Sequence, residues 1–376
     1  MAVVSLPKSI ESLGDAARDQ AKQQVRQVER VARLLAPASP VERAARKLTG
    51  RRASGWLGWL SALAPRLTHE GIALEQHVRE GRFQRSLALI TAMSSLAATF
   101  EVGTEHYRGS YSQRVMYSPL ALGAALTGVS VAAAFSRWAA RVALPIVSLA
   151  MLVDGAVGFI FHVRGVARKP GGWRIPIFNV IMGPPVFAPL LLGVTGFLGL
   201  MTSFLRREDD PHGRLALGVR RARPAWANLL PRAISSEGIT LEQDVREGRF
   251  QRGLALATAL TALFNGVESL YSHYKNNFRF KAQWTPILLT PALVTASLGA
   301  FWSRRIAHTW LPILSILAAA DGLAGFFYHV RGGLRRPGAL HRPLYTLAYG
   351  PPVFAPLLFA ATGMLGVMAS LMRRGK

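Results

Sequence analysis

The sequence contains itself twice. Residues 154–165 read DGAVGFIFHVRG, and residues 321–332 read DGLAGFFYHVRG. The same separation of 167 residues carries Glu101 onto Glu268, His106 onto His273, Pro119 onto Pro286 and Gly183 onto Gly350. A duplication with no net insertion over most of its length leaves one architecture open: a single unit used twice.

Each copy offers four apolar runs. They cover roughly 86–105, 117–135, 142–162 and 178–204 in the first, and roughly 253–272, 285–302, 309–329 and 345–371 in the second. A helix needs about 20 such residues to cross about 30 Å of hydrocarbon. The pattern therefore predicts an all-α polytopic integral membrane protein. Eight transmembrane helices are expected, as two parallel tandem four-helix repeats, because an even number of spans returns the chain to its starting side. The expected organisation is a basic N-terminal amphipathic or disordered extension over 1–50 and membrane repeats over 51–208 and 209–376. Each repeat opens with an interfacial helix; Trp56 and Trp59 mark it in the first copy, and Trp226 matches Trp59.

The fourth run is interrupted. GPPVFAPLL at 183–191 returns unchanged at 350–358. Three prolines within six residues remove intrahelical donors and release carbonyls. Two outcomes are open: a discontinuous helix at membrane depth, or a break between a short interfacial helix and the span proper.

The charge is strongly one-sided, with 45 Lys and Arg against 20 Asp and Glu. Such an excess suits nucleic acid, but here every basic residue lies outside the apolar runs, the pattern of membrane borders and anionic lipid contact. Nucleic acid is therefore not expected as a partner; membrane lipids are. The basic majority on the side holding both termini places them in the cytoplasm of an inner, or cell, membrane. The first 50 residues are polar and highly charged, with no apolar signal-peptide core among them, so the first span is expected to act as its own insertion signal. There is no cysteine, which removes disulfide, iron–sulfur and thiolate chemistry.

Only four acids lie well inside the apolar runs: Glu101, Asp154, Glu268 and Asp321. A carboxylate in hydrocarbon costs several kcal/mol unless paired, protonated or hydrated, which makes each a candidate for acid–base work. Histidines accompany them: His106 and His162, then His273 and His329. Asp154 and His162 are about 12 Å apart along a helix axis. The first and third runs end on the same side, so the two histidines of a copy share one level, with the carboxylates beneath. Gly155 and Gly158 allow a helix or a flat ligand close approach. Arg164 and Arg331 sit on the same rim, suited to an anionic group or to cofactor carboxylates.

Four readings fit these residues. In one, the acids and histidines only hold helices together. In another, the histidines bind a haem b axially or, with the acids, serve a quinone headgroup. A third is a metal-dependent lipid-modifying membrane enzyme. The fourth is proton- or cation-coupled transport. The sequence reading favours the second: a membrane subunit of an electron-transfer assembly. A partner protein would dock on the face carrying His106 and His162. The 4+4 layout is similar to that of quinone-interacting subunits of respiratory complexes, in layout and not in motif. P-loop, G-x-G-x-x-G, G-x-S-x-G and H-E-x-x-H signatures are absent.

Overall fold

The computed structural model describes residues 73–210 and 232–374. The N-terminal extension, the Trp56 and Trp59 patch and Trp226 lie outside them. The described residues are helical, with one isolated bridge between Phe250 and Arg374 and no strand. The principal helices of the first copy are α1 (Gln84–Arg108), α2 (Ser118–Phe135), α3 (Leu144–Ala167) and α4 (Ala188–Phe204). Those of the second are α5 (Gln251–Lys275), α6 (Thr285–Trp302), α7 (Trp310–Leu334) and α8 (Ala355–Leu371).

Six of these, α1–α3 and α5–α7, are long and apolar enough to cross a membrane. This is a multi-pass membrane protein by helix length and composition. The other two have 17 residues each, about 26 Å of rise. That is short of the hydrocarbon thickness, because the proline-rich segment cuts the fourth run in two. Short helices at Pro176–Ile181 and Pro343–Tyr349 precede the breaks. Proline fixes the restart as well as the break: Pro189 and Pro356 sit in the first turns of α4 and α8, where an N–H is not needed. Pro119, Pro145 and Pro286 do the same for α2, α3 and α6.

Within the first copy α2 and α4 each pack against both α1 and α3, so α1 and α3 stand on a diagonal. The second copy repeats this arrangement. Between copies the first helix of each touches the fourth helix of the other: α1 meets α8 and α5 meets α4. A shared core follows, in which Leu87, Leu198 and Met201 cluster with Leu254, Leu293, Phe359 and Leu365. The outward faces are apolar too. Ile146, Leu149, Val153 and Ile160 form an exposed stripe along α3, a surface that suits lipid contact rather than water.

The glycines of the repeated motif explain the close α3–α4 packing. A Cβ on Gly155 would lie 2.6 Å from Gly193 Cα and 2.7 Å from the Pro189 carbonyl oxygen. On Gly158 it would lie 3.0 Å from Pro189 Cβ. Gly322 and Gly325 meet Ala360 and Pro356 in the same way. A neighbouring helix, not a ligand, occupies the space these glycines leave.

Candidate functional site at the broken fourth helices

A helix that restarts inside a membrane protein exposes N–H groups at its new beginning and carbonyls at the old end. Both sets are satisfied here by the residues singled out from the sequence. Glu101 Oε1, on α1, accepts the backbone N–H of Phe354 at 2.5 Å and of Ala355 at 3.2 Å, at the start of α8. Glu268, on α5, accepts the N–H of Phe187 at 2.9 Å, at the start of α4. Each copy therefore caps the broken helix of the other. A carboxylate at a helix N-terminus also complements the helix dipole.

The aromatic residue at each break follows the same exchange. Phe354 lies edge-on to Phe100 of the first copy, ring centres 4.9 Å apart, and 6.3 Å from Phe326 of its own copy. Phe187 stacks on Phe264 of the second copy at 5.2 Å and on Phe159 of its own at 6.2 Å.

The released carbonyls go to histidines and to two arginines, Arg336 taking that of Tyr349. His162 Nδ1 lies 2.6 Å from the Pro185 carbonyl oxygen, and His329 Nδ1 lies 2.6 Å from that of Pro352. Arg108 Nε donates to the Ala348 carbonyl at 2.5 Å and Nη2 to that of Gly350 at 3.2 Å. His106 and His273 bind carbonyls of the turn leading into the next helix, Met116 at 2.8 Å and Gln283 at 3.0 Å. A carbonyl oxygen only accepts, so each of the four rings carries its proton on Nδ1. In the neutral ring the lone pair is then on Nε2.

All four histidines are half-buried. They pair by copy: His106 is an electrostatic neighbour of His162, and His329 of His273. Each pair comes from the two diagonal helices of one copy. The helices run further than the apolar runs, so His162 and His329 stand five residues before the ends of α3 and α7 rather than at them. Arg164 and Arg331 are exposed in the last turns of those helices.

The aspartates do something different from the glutamates. Asp154 Oδ1 lies 2.6 Å from the Ser118 hydroxyl at the start of α2. Asp321 accepts from the Thr285 hydroxyl at the equivalent place in α6. The acids are thus distributed over helix ends and hydroxyls, not over the histidines. Ser118 and Thr285 were missed from sequence, although each carried a signal, a hydroxyl before a proline kept in both copies. Arg108, matched by Lys275, stands out in sequence as a cation of the same rim as Arg164.

Among the described residues no group of three or more His, Cys, Asp or Glu is placed to hold a metal ion. No protein-family model, curated protein or solved structure matches this chain.

Proposed function

We propose that the chain spans the membrane eight times, as two parallel four-helix repeats, and serves as the membrane subunit of an electron-transfer assembly. In this reading each short helix with α4 or α8 completes a broken fourth span. Both termini lie on the cytoplasmic side of the cell membrane. A haem b or a quinone headgroup binds in each bundle, between His106 and His162 and between His273 and His329. The observation that carries this reading is the common state of the four rings. An Nδ1–H held by a backbone carbonyl presents Nε2 as a lone pair, the form that ligates iron or accepts a proton from a quinol hydroxyl. The pairing of rings from diagonal helices supports it, since four-helix bundles hold cofactors between facing side chains. Arg164 and Arg331 provide cations for cofactor carboxylates. Asp154 and Asp321 are the acids left for proton movement, because Glu101 and Glu268 are committed to helix ends. The partner protein docks on the face carrying His106 and His162.

The visible spectrum of the purified protein, with solvent extraction of quinone, tests this. A Soret band lost in His162→Ala, or a stoichiometric quinone lost in that variant, is the expected result. A colourless, quinone-free protein overturns it.

One observation favours a second reading, proton- or cation-coupled transport. Two broken helices with their N-termini turned to carboxylates from the other repeat match the way transporters build sites between repeats. Uptake into proteoliposomes that is driven by a pH gradient and abolished in Glu101→Gln would favour it.

A further inference from the structure

At the ends of α4 and α8 the two copies differ in charge. In the first copy three acids follow α4: Glu208, Asp209 and Asp210. Glu208 accepts the backbone N–H groups of Arg85 and Ser86 at 3.1 and 2.9 Å. Asp209 pairs with Arg85 at 2.8 Å and lies 3.7 Å from Arg207. Asp210 pairs with Arg137 at 3.0 Å. The arginine cluster of the first copy is thus neutralised from within the chain.

The cations recur in the second copy, but two of the acids are replaced. Arg252, Arg304 and Arg374 stand 167 residues after Arg85, Arg137 and Arg207, but Gly375 and Lys376 replace Glu208 and Asp209. Arg374 keeps the backbone contact of its counterpart, donating to Phe301 where Arg207 donates to Ala134. Its Nε, like that of Arg207, is buried without a hydrogen-bond partner, but Arg207 has Asp209 at 3.7 Å. Arg304 has no ion-pair partner among the described residues, whereas Arg137 has two acids within 4 Å. Arg252 lies over the Phe301 ring instead of against a carboxylate.

A cavity of about 250 Å³ occupies the gap, lined by Arg79, Gln251, Arg304, His308, Arg373 and Arg374 among others. Among the described residues no acidic side chain lines it. Glu75 pairs with the lining residue Arg79 at 3.0 Å, and Glu247 pairs with Arg249 at 3.3 Å. Arg373 is fixed by the carbonyls of Arg79 and Glu247. Its guanidinium is therefore positioned by the backbone, with Glu247 and Glu80 as its electrostatic neighbours.

We propose that this cavity binds a phosphate group, which supplies from outside the negative charge that Glu208 and Asp209 supply in the first copy. A phosphate monoester carries about −1.5 to −2 and presents several acceptor oxygens at once. That suits guanidiniums converging from the α6–α7 connection and the end of α8 better than a single planar carboxylate does. The cavity lies where α5 begins and α8 ends, at a border of the apolar helices. The group is thus either a lipid headgroup phosphate or a free phosphate, and the chemistry is shared.

The full chain, delipidated and placed in phosphatidylcholine nanodiscs, is titrated with inorganic phosphate while its thermal unfolding is followed. A second arm uses nanodiscs containing phosphatidic acid and no free phosphate. Stabilisation by inorganic phosphate assigns the site to a soluble ligand, and stabilisation by phosphatidic acid alone assigns it to a lipid. Arg304→Gln with Arg374→Gln weakens the response by about tenfold or more, corresponding to about 1.4 kcal/mol. A chain carrying Gly375→Glu and Lys376→Asp folds and no longer responds, because it carries its own anions. Absence of a response in both arms overturns the proposal. So does an undiminished response in the arginine variant or in the acid-bearing chain.

Discussion

Glu101 and Phe354 are 253 residues apart in the chain and 2.5 Å apart in the fold, carboxylate oxygen to backbone nitrogen. Glu268 and Phe187 repeat the relationship with the copies exchanged. The duplication is therefore not two bundles side by side. Each bundle's broken helix is completed by an acid from the other, and neither copy supplies the acceptor for the N–H groups at its own restart.

Removing that acid has a definite consequence. Glu101→Ala leaves the N–H groups of Phe354 and Ala355 without their acceptor in a half-buried site. An unsatisfied buried donor costs about 1–3 kcal/mol. Glu268→Ala acts in the same way at the other break. Glu101→Gln keeps an acceptor oxygen and loses only the charge, so its loss is the smaller. Melting temperatures of the three variants in one detergent check this order; a Gln variant as unstable as the Ala variant would contradict it.

The α3–α4 seam makes an opposite pair of expectations for one type of change. Gly155→Ala drives a methyl group into the backbone of Gly193 and Pro189, and overpacking of this kind costs about 1–3 kcal/mol. Gly128 on α2 has nothing within 4 Å of the position a Cβ would take. There Gly128→Ala improves helix stability by about 0.5–1 kcal/mol. A shared sign for the two variants in thermal unfolding would show that the seam is looser than the distances state.

Much of this was legible in sequence, for identifiable reasons. The repeat fixed which residues are equivalent, and the proline cluster at 183–191 marked the break. The price of burying Glu101 and Asp154 singled them out. What the sequence could not carry is which copy each acid serves. Equivalence by 167 residues is blind to an exchange between copies, because an internal contact and a swapped one read the same. The division of labour was hidden for a related reason. Glu101 and Asp154 look alike as buried acids, and only the position of Phe354 and of Ser118 separates a helix cap from a hydroxyl partner. The break in the repeat was visible where Glu208 and Asp209 meet Gly375 and Lys376, a signal the apolar pattern drew attention away from.

Asp210 gives a pH signature outside the spans. Burial pushes its carboxyl up, but the Arg207 N–H and the Arg137 guanidinium more than offset this and hold it below the usual carboxylate range. A carboxyl depressed on folding stabilises above its unfolded value, about 3.9, and the contribution disappears as the pH falls through the lower folded value. Arg137 is 53% exposed, so solvent screening keeps the contribution under about 1 kcal/mol. Asp210→Asn is therefore slightly less stable than the parent at pH 7 and indistinguishable from it in strong acid. Melting curves across that range decide it; a gap that persists unchanged to the acid limit would assign the effect to packing instead.

Ser118 and Asp154 separate a structural from a proton-carrying aspartate. The Ser118 hydroxyl has one proton and two acceptors in reach, Asp154 Oδ1 at 2.6 Å and the Val115 carbonyl at 2.9 Å. With Asp154 ionised the proton goes to the carboxylate, which is the stronger acceptor. Ser118→Ala then leaves that oxygen without its side-chain partner, at about 1–3 kcal/mol. Replacing both partners is milder than replacing one, because no polar atom is left unpaired. Ser118→Ala with Asp154→Ala is accordingly more stable than Ser118→Ala alone, and Thr285 with Asp321 behaves likewise. A double-mutant cycle in thermal unfolding measures the coupling. If the double variant recovers stability yet has lost cofactor turnover or uptake, Asp154 carries protons as well as holding α2 to α3. If function survives with stability, the aspartate is a tie between helices and nothing more.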